Sequence, residues 1–342
     1  LLLTAYGLPY TMGYIADAQG VPNPTPRDLV WLAGYARQLG LAGIEAPLGP
    51  VVSSFQGTTV RQRSRTDELV EECRRHGLSL VSDYGAVLDR PQTDFEECLR
   101  RSHQCGAEVV RVVLSHALCG DRRNVGMPWK EHLRACAVRL RETVPLARDL
   151  GLRIAVENHQ DATSADLLWL VEEVGDPGTL GVCLDTGNPL AVAEGPVPAA
   201  ARLAPLIHHL HLKDYRVHRY SCGYRLTRCA NGAGVVDFEA VLRAVLRSGN
   251  TPSLGVEIAA QQARSIPILE DAWWRQHEED QVNHLPEALG AVWSRLLPED
   301  EPWESAWERG VTGEDLVSEE LSTVQAGVSA MRQLLLRVGF AS

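Results

Sequence analysis

Short apolar, β-branched runs alternate with longer amphipathic stretches over roughly 260 residues, and this rhythm restricts the fold more than any other feature of the chain. Eight runs read as strands: Leu2 to Tyr6, Gly43 to Leu48, Ser79 to Tyr84, Val109 to His116, Leu152 to Asn158, Leu180 to Asp185, Ile207 to Lys213 and Leu254 to Ile258. Between them, helical patterns cover Pro26 to Leu39, Asp67 to His76, Asp94 to Cys105, Trp129 to Leu150, Ser164 to Val174 and Asp237 to Arg247. Thr66, Thr93 and Thr163 stand where helix caps are needed, and Gly40, Gly77, Gly106 and Gly151 stand where helices must stop.

Eight such units make an α/β chain of the (β/α)8 barrel type, for which ~250 residues is an ordinary size. The expected organisation is a barrel catalytic domain over residues 1–259, then a helical extension over 260–342 that packs on the barrel or on a partner subunit. A doubly wound sheet would need a glycine-rich phosphate turn after the first strand, and "YGLPYTMGY" does not supply one. The run Pro196 to Pro205, rich in Ala and Pro, reads as low-complexity sequence.

Charge separates the two parts. The chain carries a formal net charge of −11, and fifteen acids against three arginines fall between Glu270 and Glu320, which leaves the rest near neutrality. A near-neutral body with an acidic segment lacks the positive field expected for binding nucleic acid or an anionic membrane surface. No apolar run approaches the ~18 to 20 residues of a membrane span. The eight cysteines show no CxxC pair, so reduced thiols and a cytoplasmic setting are the expectation. The extension also holds five of the eight tryptophans, Trp273, Trp274, Trp293, Trp303 and Trp307, which fits packed helices better than a solvated tail.

In a barrel, ionisable groups at the carboxyl ends of strands face the site. Four strand ends carry such a group after an apolar run: "IAVENHQD" with Glu157, "GVCLDTGN" with Asp185, "HHLHLKDY" with His211 and "LGVEIA" with Glu257. Their separations of 28, 26 and 46 residues correspond to successive βα units, the last enlarged by an insert. Three carboxylates converging in a poorly hydrated pocket repel one another, and a divalent cation is the economical compensation. One nitrogen with three carboxylates is an oxygen-rich set that suits Mn2+ first, then Mg2+ or Co2+, with Zn2+ as a further alternative.

These motifs resemble those of the xylose isomerase-like barrel superfamily, the group of sugar phosphate isomerases and epimerases and AP endonucleases. The resemblance covers residues 1 to about 259 and is most specific in strands five to eight. It implies that Glu157, Asp185, His211 and Glu257 bind one catalytic metal. The "ENH" string also resembles dehydroshikimate dehydratases, which implies His159 as a base. Epimerases and DNA-repair members commonly carry a second histidine shortly after the strand-six Asp. Here Asn188 stands in that region, which disfavours a three-metal nuclease site and leaves Asn188 as a substrate contact.

The resemblance further implies a metal-dependent sugar isomerase or epimerase working through an enediolate. Glu157 and Glu257 would exchange the proton, and Lys213, one of only two lysines in the chain, would hold a substrate oxygen. A lyase of the same superfamily, dehydratase-like or cleaving a C-glycoside or keto-glycoside, is the alternative. A non-catalytic carbohydrate-binding barrel and a nuclease are weaker readings. Arg216 and His218, in the insert Arg216 to Val236 after strand seven, which reads as a long specificity loop, are candidate substrate contacts, as are Glu45, Tyr84 and His116 at the ends of strands two to four. The expected partners are a carbohydrate or polyol and, through the extension, a second subunit.

Overall fold

The structure, a computed structural model, describes residues 1–48, 51–55, 58–62, 66–258, 261–277 and 281–340. All eight expected strands are present: β1 Leu2–Thr4, β2 Gly43–Pro47, β3 Ser79–Ala86, β4 Val109–Val113, β5 Arg153–Glu157, β6 Leu180–Asp185, β7 Ile207–Leu212 and β8 Ser253–Val256. They pair in parallel and close in the order β1-β8-β7-β6-β5-β4-β3-β2. Side chains cover each strand from within and helices from without, which is why residues on both faces of the strands are buried.

The helical ring follows from local signals. Helix α1, Leu29–Gln38, opens on Asp28, whose side chain accepts from Trp31 N at 2.8 Å. Next come α2 Thr66–His76, α3 Gln92–Gln104, α4 Trp129–Asp149 and α5 Ser164–Val174. At α5, Thr163 and Asp166 form a reciprocal capping box. Thr66 and Thr93 lie inside the first turns of α2 and α3, one residue or more past the expected cap. Gly40, Gly77, Gly106 and Gly151 end their helices at φ between +62° and +78°, a conformation in which a Cβ would be strained.

Two expectations are corrected. The Ala/Pro run forms a helix, α6 Pro196–Leu203, because Pro196 occupies the first turn, where its missing N–H costs nothing, and Ala199, Ala200 and Leu203 face the core. The insert after β7 is not a loop. Asp214–Tyr220 and Gly223–Cys229 form an antiparallel hairpin, and Arg264–Ile266 adds a third strand. Tyr215, Val217, Tyr224, Leu226 and Ile266 bury one side of this sheet with Leu190 and Trp273 in a second core. The Asp214 carboxylate fixes the descent from the hairpin by accepting from the backbone of Gly232, Gly234 and Val236.

Helix α7, Phe238–Arg247, leads into β8, and after it come α8 Asp271–Trp274, α9 Leu285–Val292 and α10 Gly313–Val338. The last helix fills the ring position between α7 and α1. Val324, Val328, Met331, Leu334 and Leu335 join the main core, and Gln325 donates to Tyr35 Oη at 3.2 Å. The eighth ring helix thus comes from the far end of the chain, with 54 residues between Ile258 and its first residue, Gly313. Three of the tryptophans anchor this region through their indole N–H: Trp273 to Cys119 O, Trp274 to Ile268 O and Trp307 to Ala16 O. No helix among the described residues is long and apolar enough to cross a membrane.

Strand alternation sets up the site. Leu2, Val81, Val109, Ala155 and Cys183 pack together as a small apolar cluster. Two residues further along the same strands stand Thr4, Asp83, Arg111, Glu157 and Asp185, which side-chain alternation aims to the same side. An apolar floor therefore carries a layer of ionisable groups above it.

Candidate metal centre and cleft

Glu157, Asp185, His211 and Glu257 each offer a ligand atom, and these atoms lie within 4.8 Å of one another. All four residues are buried. The strand ends that carry them are fastened side by side. Asn158 accepts from Asp185 N at 2.6 Å and donates to Asp185 O at 3.0 Å, joining β5 to β6. The Thr186 hydroxyl does the same between β6 and β7, donating to Lys213 O and accepting from Lys213 N.

Each ligand is oriented by a neighbour. Asp185 Oδ1 accepts from the backbone N–H groups of Gly187 and Asn188, which leaves Oδ2 to face the cluster. Glu157 Oε2 accepts from Arg111 Nε at 2.6 Å, and Oε1 accepts from Asn188 Nδ2 at 3.1 Å. The Nε2–H of His211 donates to Glu45 Oε2 at 2.7 Å, so Nδ1 turns inward, 2.7 Å from Glu257 Oε2. A carboxylate behind an imidazole fixes the ring and raises its basicity as a ligand.

The charges do not close. Glu45, Asp83, Glu157, Asp185 and Glu257 supply five buried carboxyl groups, while Arg111, Lys213 and an imidazolium at His211 supply three cations. Lys213 Nζ stands 2.5 Å from Asp185 Oδ2 and 2.8 Å from Glu257 Oε1. Burial alone would raise Glu257, yet Lys213 and His211 hold its carboxyl well below the usual range. Burial likewise opposes the charge on His211, but Cys183, Glu45 and Glu257 keep its pKa well above that of a free imidazole. Asp185 is pushed up by burial against the pull of Lys213. Asp185 Oδ2, Glu257 Oε2 and His211 Nδ1 are buried without a well-formed hydrogen bond, although charged groups stand within 3 Å. Inward-facing oxygen and nitrogen atoms left over in a region short of positive charge suit a divalent cation.

Above this cluster opens a cleft of about 950 Å³. Its lining includes Glu257, Lys213, His159, Arg111, Tyr84 and His116. His159 is half-buried with its Nδ1 atom shielded and unpartnered, and its pKa is lowered to about 3 by desolvation, with Arg111 and Lys213 adding to the effect, so the ring is neutral. Tyr84 stacks on Phe95 at 4.4 Å, and its hydroxyl is raised to about 12 by burial. His116 is exposed at the rim and pairs with Asp89 at 2.6 Å.

Four expected substrate contacts lie elsewhere. Glu45 points into the barrel, where His209 and His211 keep it ionised despite burial. Asn188 holds Glu157 from behind. Arg216 projects from the exposed side of the hairpin, since alternation buries its neighbours Tyr215 and Val217. His218 shares the face of Arg216 but is buried there beneath the chain near Leu297. Of the residues the sequence reading passed over, Arg111 and Asp83 bear most on the site. Arg111 Nη1 donates to Asp83 Oδ1 at 2.9 Å while Nη2 and Nε reach Glu157. The signal was present: an arginine in the middle of the run Val109–Val113 must find a partner inside the barrel.

Comparison with known proteins agrees with this geometry. The family profile described as xylose isomerase-like TIM barrel matches residues 33–285. A 3-oxo-isoapionate decarboxylase of Pectobacterium atrosepticum is 28% identical over 141 residues, covering 40% of this chain and 51% of the relative. The chain spans about half the length of the curated relatives it matches. The crystal structure of the 3-keto-D-glucoside 4-epimerase YcjR of E. coli superposes with a TM-score of 0.52 at 14% identity, covering 79% of this chain and 95% of that one. A xylose isomerase-like TIM barrel protein from Mycobacterium smegmatis, in complex with magnesium, gives 0.55 at 17% identity, covering 85% and 97%. At these identities the superpositions establish the fold.

Proposed function

The chain belongs to the xylose isomerase-like TIM barrel family, and from that premise we propose that it is a divalent-metal-dependent isomerase or epimerase of a sugar or keto-sugar. The observation that carries this reading is the convergence of Glu157, Asp185, His211 and Glu257 at the base of a cleft wide enough for a sugar. Held by these four residues, a divalent ion, with Mn2+ the first candidate, supplies Lewis acidity toward a carbonyl and its neighbouring hydroxyl.

The chain's own groups do the rest. Glu257 lines the cleft and takes the proton from the hydroxyl-bearing carbon next to the carbonyl. Its carboxyl is held at low pKa, so the fixed position of the substrate, more than basicity, must make the transfer fast. Lys213 Nζ, already between Asp185 and Glu257, meets the oxygen on which negative charge develops. Glu157 partners Glu257 in the epimerase reading, kept charged by Arg111 and positioned by Asn188. His159 contributes a hydrogen bond to a substrate hydroxyl.

A lyase reading is favoured by the similarity to a decarboxylase. It shares the enolate and therefore Lys213. His159, neutral and weakly basic, suits the base of an elimination less well than the dehydratase-like motif implied.

Proton NMR of keto-sugars in deuterated buffer, with and without Mn2+, tests the proposal. Metal-dependent deuterium incorporation without loss of mass supports it, and Glu257→Gln should abolish the exchange. Loss of carbon dioxide, water or an aglycone selects the lyase, and undiminished exchange in Glu257→Gln overturns the assignment of the base.

A further inference from the structure

We propose that Arg228 and Arg264 form an oxyanion subsite in the wall of the cleft, so that the natural substrate carries a carboxylate or a phosphate. This deepens the functional reading above and rests on the same cleft being the substrate site.

The hairpin and its third strand bring the two arginines together. Leu226 pairs with Arg264 across the sheet, and Arg228 is two residues beyond Leu226, so both guanidinium groups leave the same side of the sheet as diagonal neighbours. That side is apolar at Tyr224, Leu226 and Ile266 and becomes cationic where it reaches the cleft, which both arginines line.

Among the described residues neither arginine has an acidic partner within 4.0 Å, whereas the other buried cations of the cleft do: Arg111 has Asp83 and Glu157, and Lys213 has Asp185 and Glu257. Among the described residues the side-chain hydrogen bonds from the pair run to Gln261 Oε1, at 3.0 Å from Arg228 Nη1 and 3.4 Å from Arg264 Nη2. Arg264 is 7% exposed, and the Nε of each arginine is buried without a partner. Glu308, fastened beside Arg264 through Ala263, spends its two oxygens on the backbone N–H groups of Ala263 and Ser305.

Two like charges so placed repel each other, and burial together with Arg228 lowers the pKa of Arg264. Both arginines line the same cleft as Lys213 and Glu257, which puts the pair beside the proposed reaction centre and not on a separate surface. Fork-shaped guanidinium groups with unpaired N–H donors are suited to bind a carboxylate or phosphate through two or more oxygens. A neutral sugar leaves both charges uncompensated.

Calorimetric titration of the full chain with D-gluconate, D-glucose 6-phosphate and D-glucose at low salt, with and without Mn2+, tests the subsite. At least one anion should bind ten-fold or more tightly than D-glucose, and the better of the two identifies carboxylate or phosphate as the preferred group. Arg228→Gln, at a half-buried position, should remove that advantage, and Arg264→Gln should do the same. Anions that bind no better than D-glucose to the wild-type chain overturn the proposal whether or not the variants fold. So does anion binding that Arg228→Gln leaves intact. Anion binding through Arg228 without any Mn2+-dependent exchange would retain the subsite and remove the isomerase. Exchange on neutral sugars with no anion preference would do the reverse.

Discussion

Lys213 Nζ lies 2.5 Å from Asp185 Oδ2 and bridges to Glu257, so an ammonium already stands between two of the four groups proposed to share a metal. In the absence of the ion this lysine relieves the repulsion between the two carboxylates. Lys213→Met removes the relief, leaving Asp185 buried without its cation and Glu257 with His211 alone. Breaking a buried pair from one side costs about 3–5 kcal/mol. Chemical denaturation should show a loss of this order in metal-free Lys213→Met, and Mn2+ should restore more stability to the variant than to the wild type. Equal metal-free stabilities would contradict the role given to Lys213.

Glu45 acts at one remove. Its carboxylate holds the Nε2–H of His211, and Gly255 leaves the room: a Cβ there would come within 3.1 Å of His209 Nε2 and 3.3 Å of Glu45 Oε2. Glu45→Gln keeps all four ligands but weakens the orientation of the ring. Mn2+ affinity should fall by roughly 10–100-fold with the thermal midpoint little changed. An unaltered affinity would mean that the ring is fixed by packing alone.

Glu320 of α10 links the end of the chain to its beginning. Its oxygens accept from Tyr10 N at 3.0 Å, Thr11 N at 2.8 Å and Thr11 Oγ1 at 2.7 Å, and burial raises its pKa from 4.5 to about 7. The folded state therefore binds the proton more tightly than the unfolded state. The stabilisation is complete below pH 4.5 and is lost as the pH rises through 7. A gap of this size is worth roughly 3 kcal/mol. Relative to wild type, Glu320→Gln should gain stability between pH 5 and pH 8 by up to about that amount. Asp161 and Asp214, raised to about 7 and about 6 by burial, contribute equally to both proteins and cancel. A difference that does not change with pH would show that the three donors keep Glu320 ionised.

The barrel and its four central residues were readable because both follow from periodicity. Strand alternation and βα spacing bring Glu157, Asp185, His211 and Glu257 to adjacent strand ends without knowledge of any loop. What periodicity does not carry is closure. Only when β1 and β8 pair does Glu45 come opposite His209 and His211, which are more than 160 residues away, so a carboxylate at a strand end read as a rim residue. The hairpin after β7 was hidden because its exposed arginines and lone glycine look like loop sequence. Its alternation of buried Tyr215 and Val217 with exposed Arg216 is a strand signal only two residues long on each side. Without that alternation the sequence points to Arg216 and His218 as the contacts, whereas Arg228 and Arg264 line the cleft. The eighth ring helix was not separable from the acidic extension because 54 residues stand between Ile258 and Gly313, and spacing gives no link across such an insertion.

The central claim is that four side chains from adjacent strands share one cation. Titration of the metal-depleted chain with Mn2+, followed by the electron paramagnetic resonance signal of the free ion, tests it most directly. The account predicts one tightly bound Mn2+ per chain in the wild type and at least a hundred-fold weaker binding in Asp185→Asn. A wild-type chain that binds none, or an Asp185→Asn variant that binds as tightly, would contradict it.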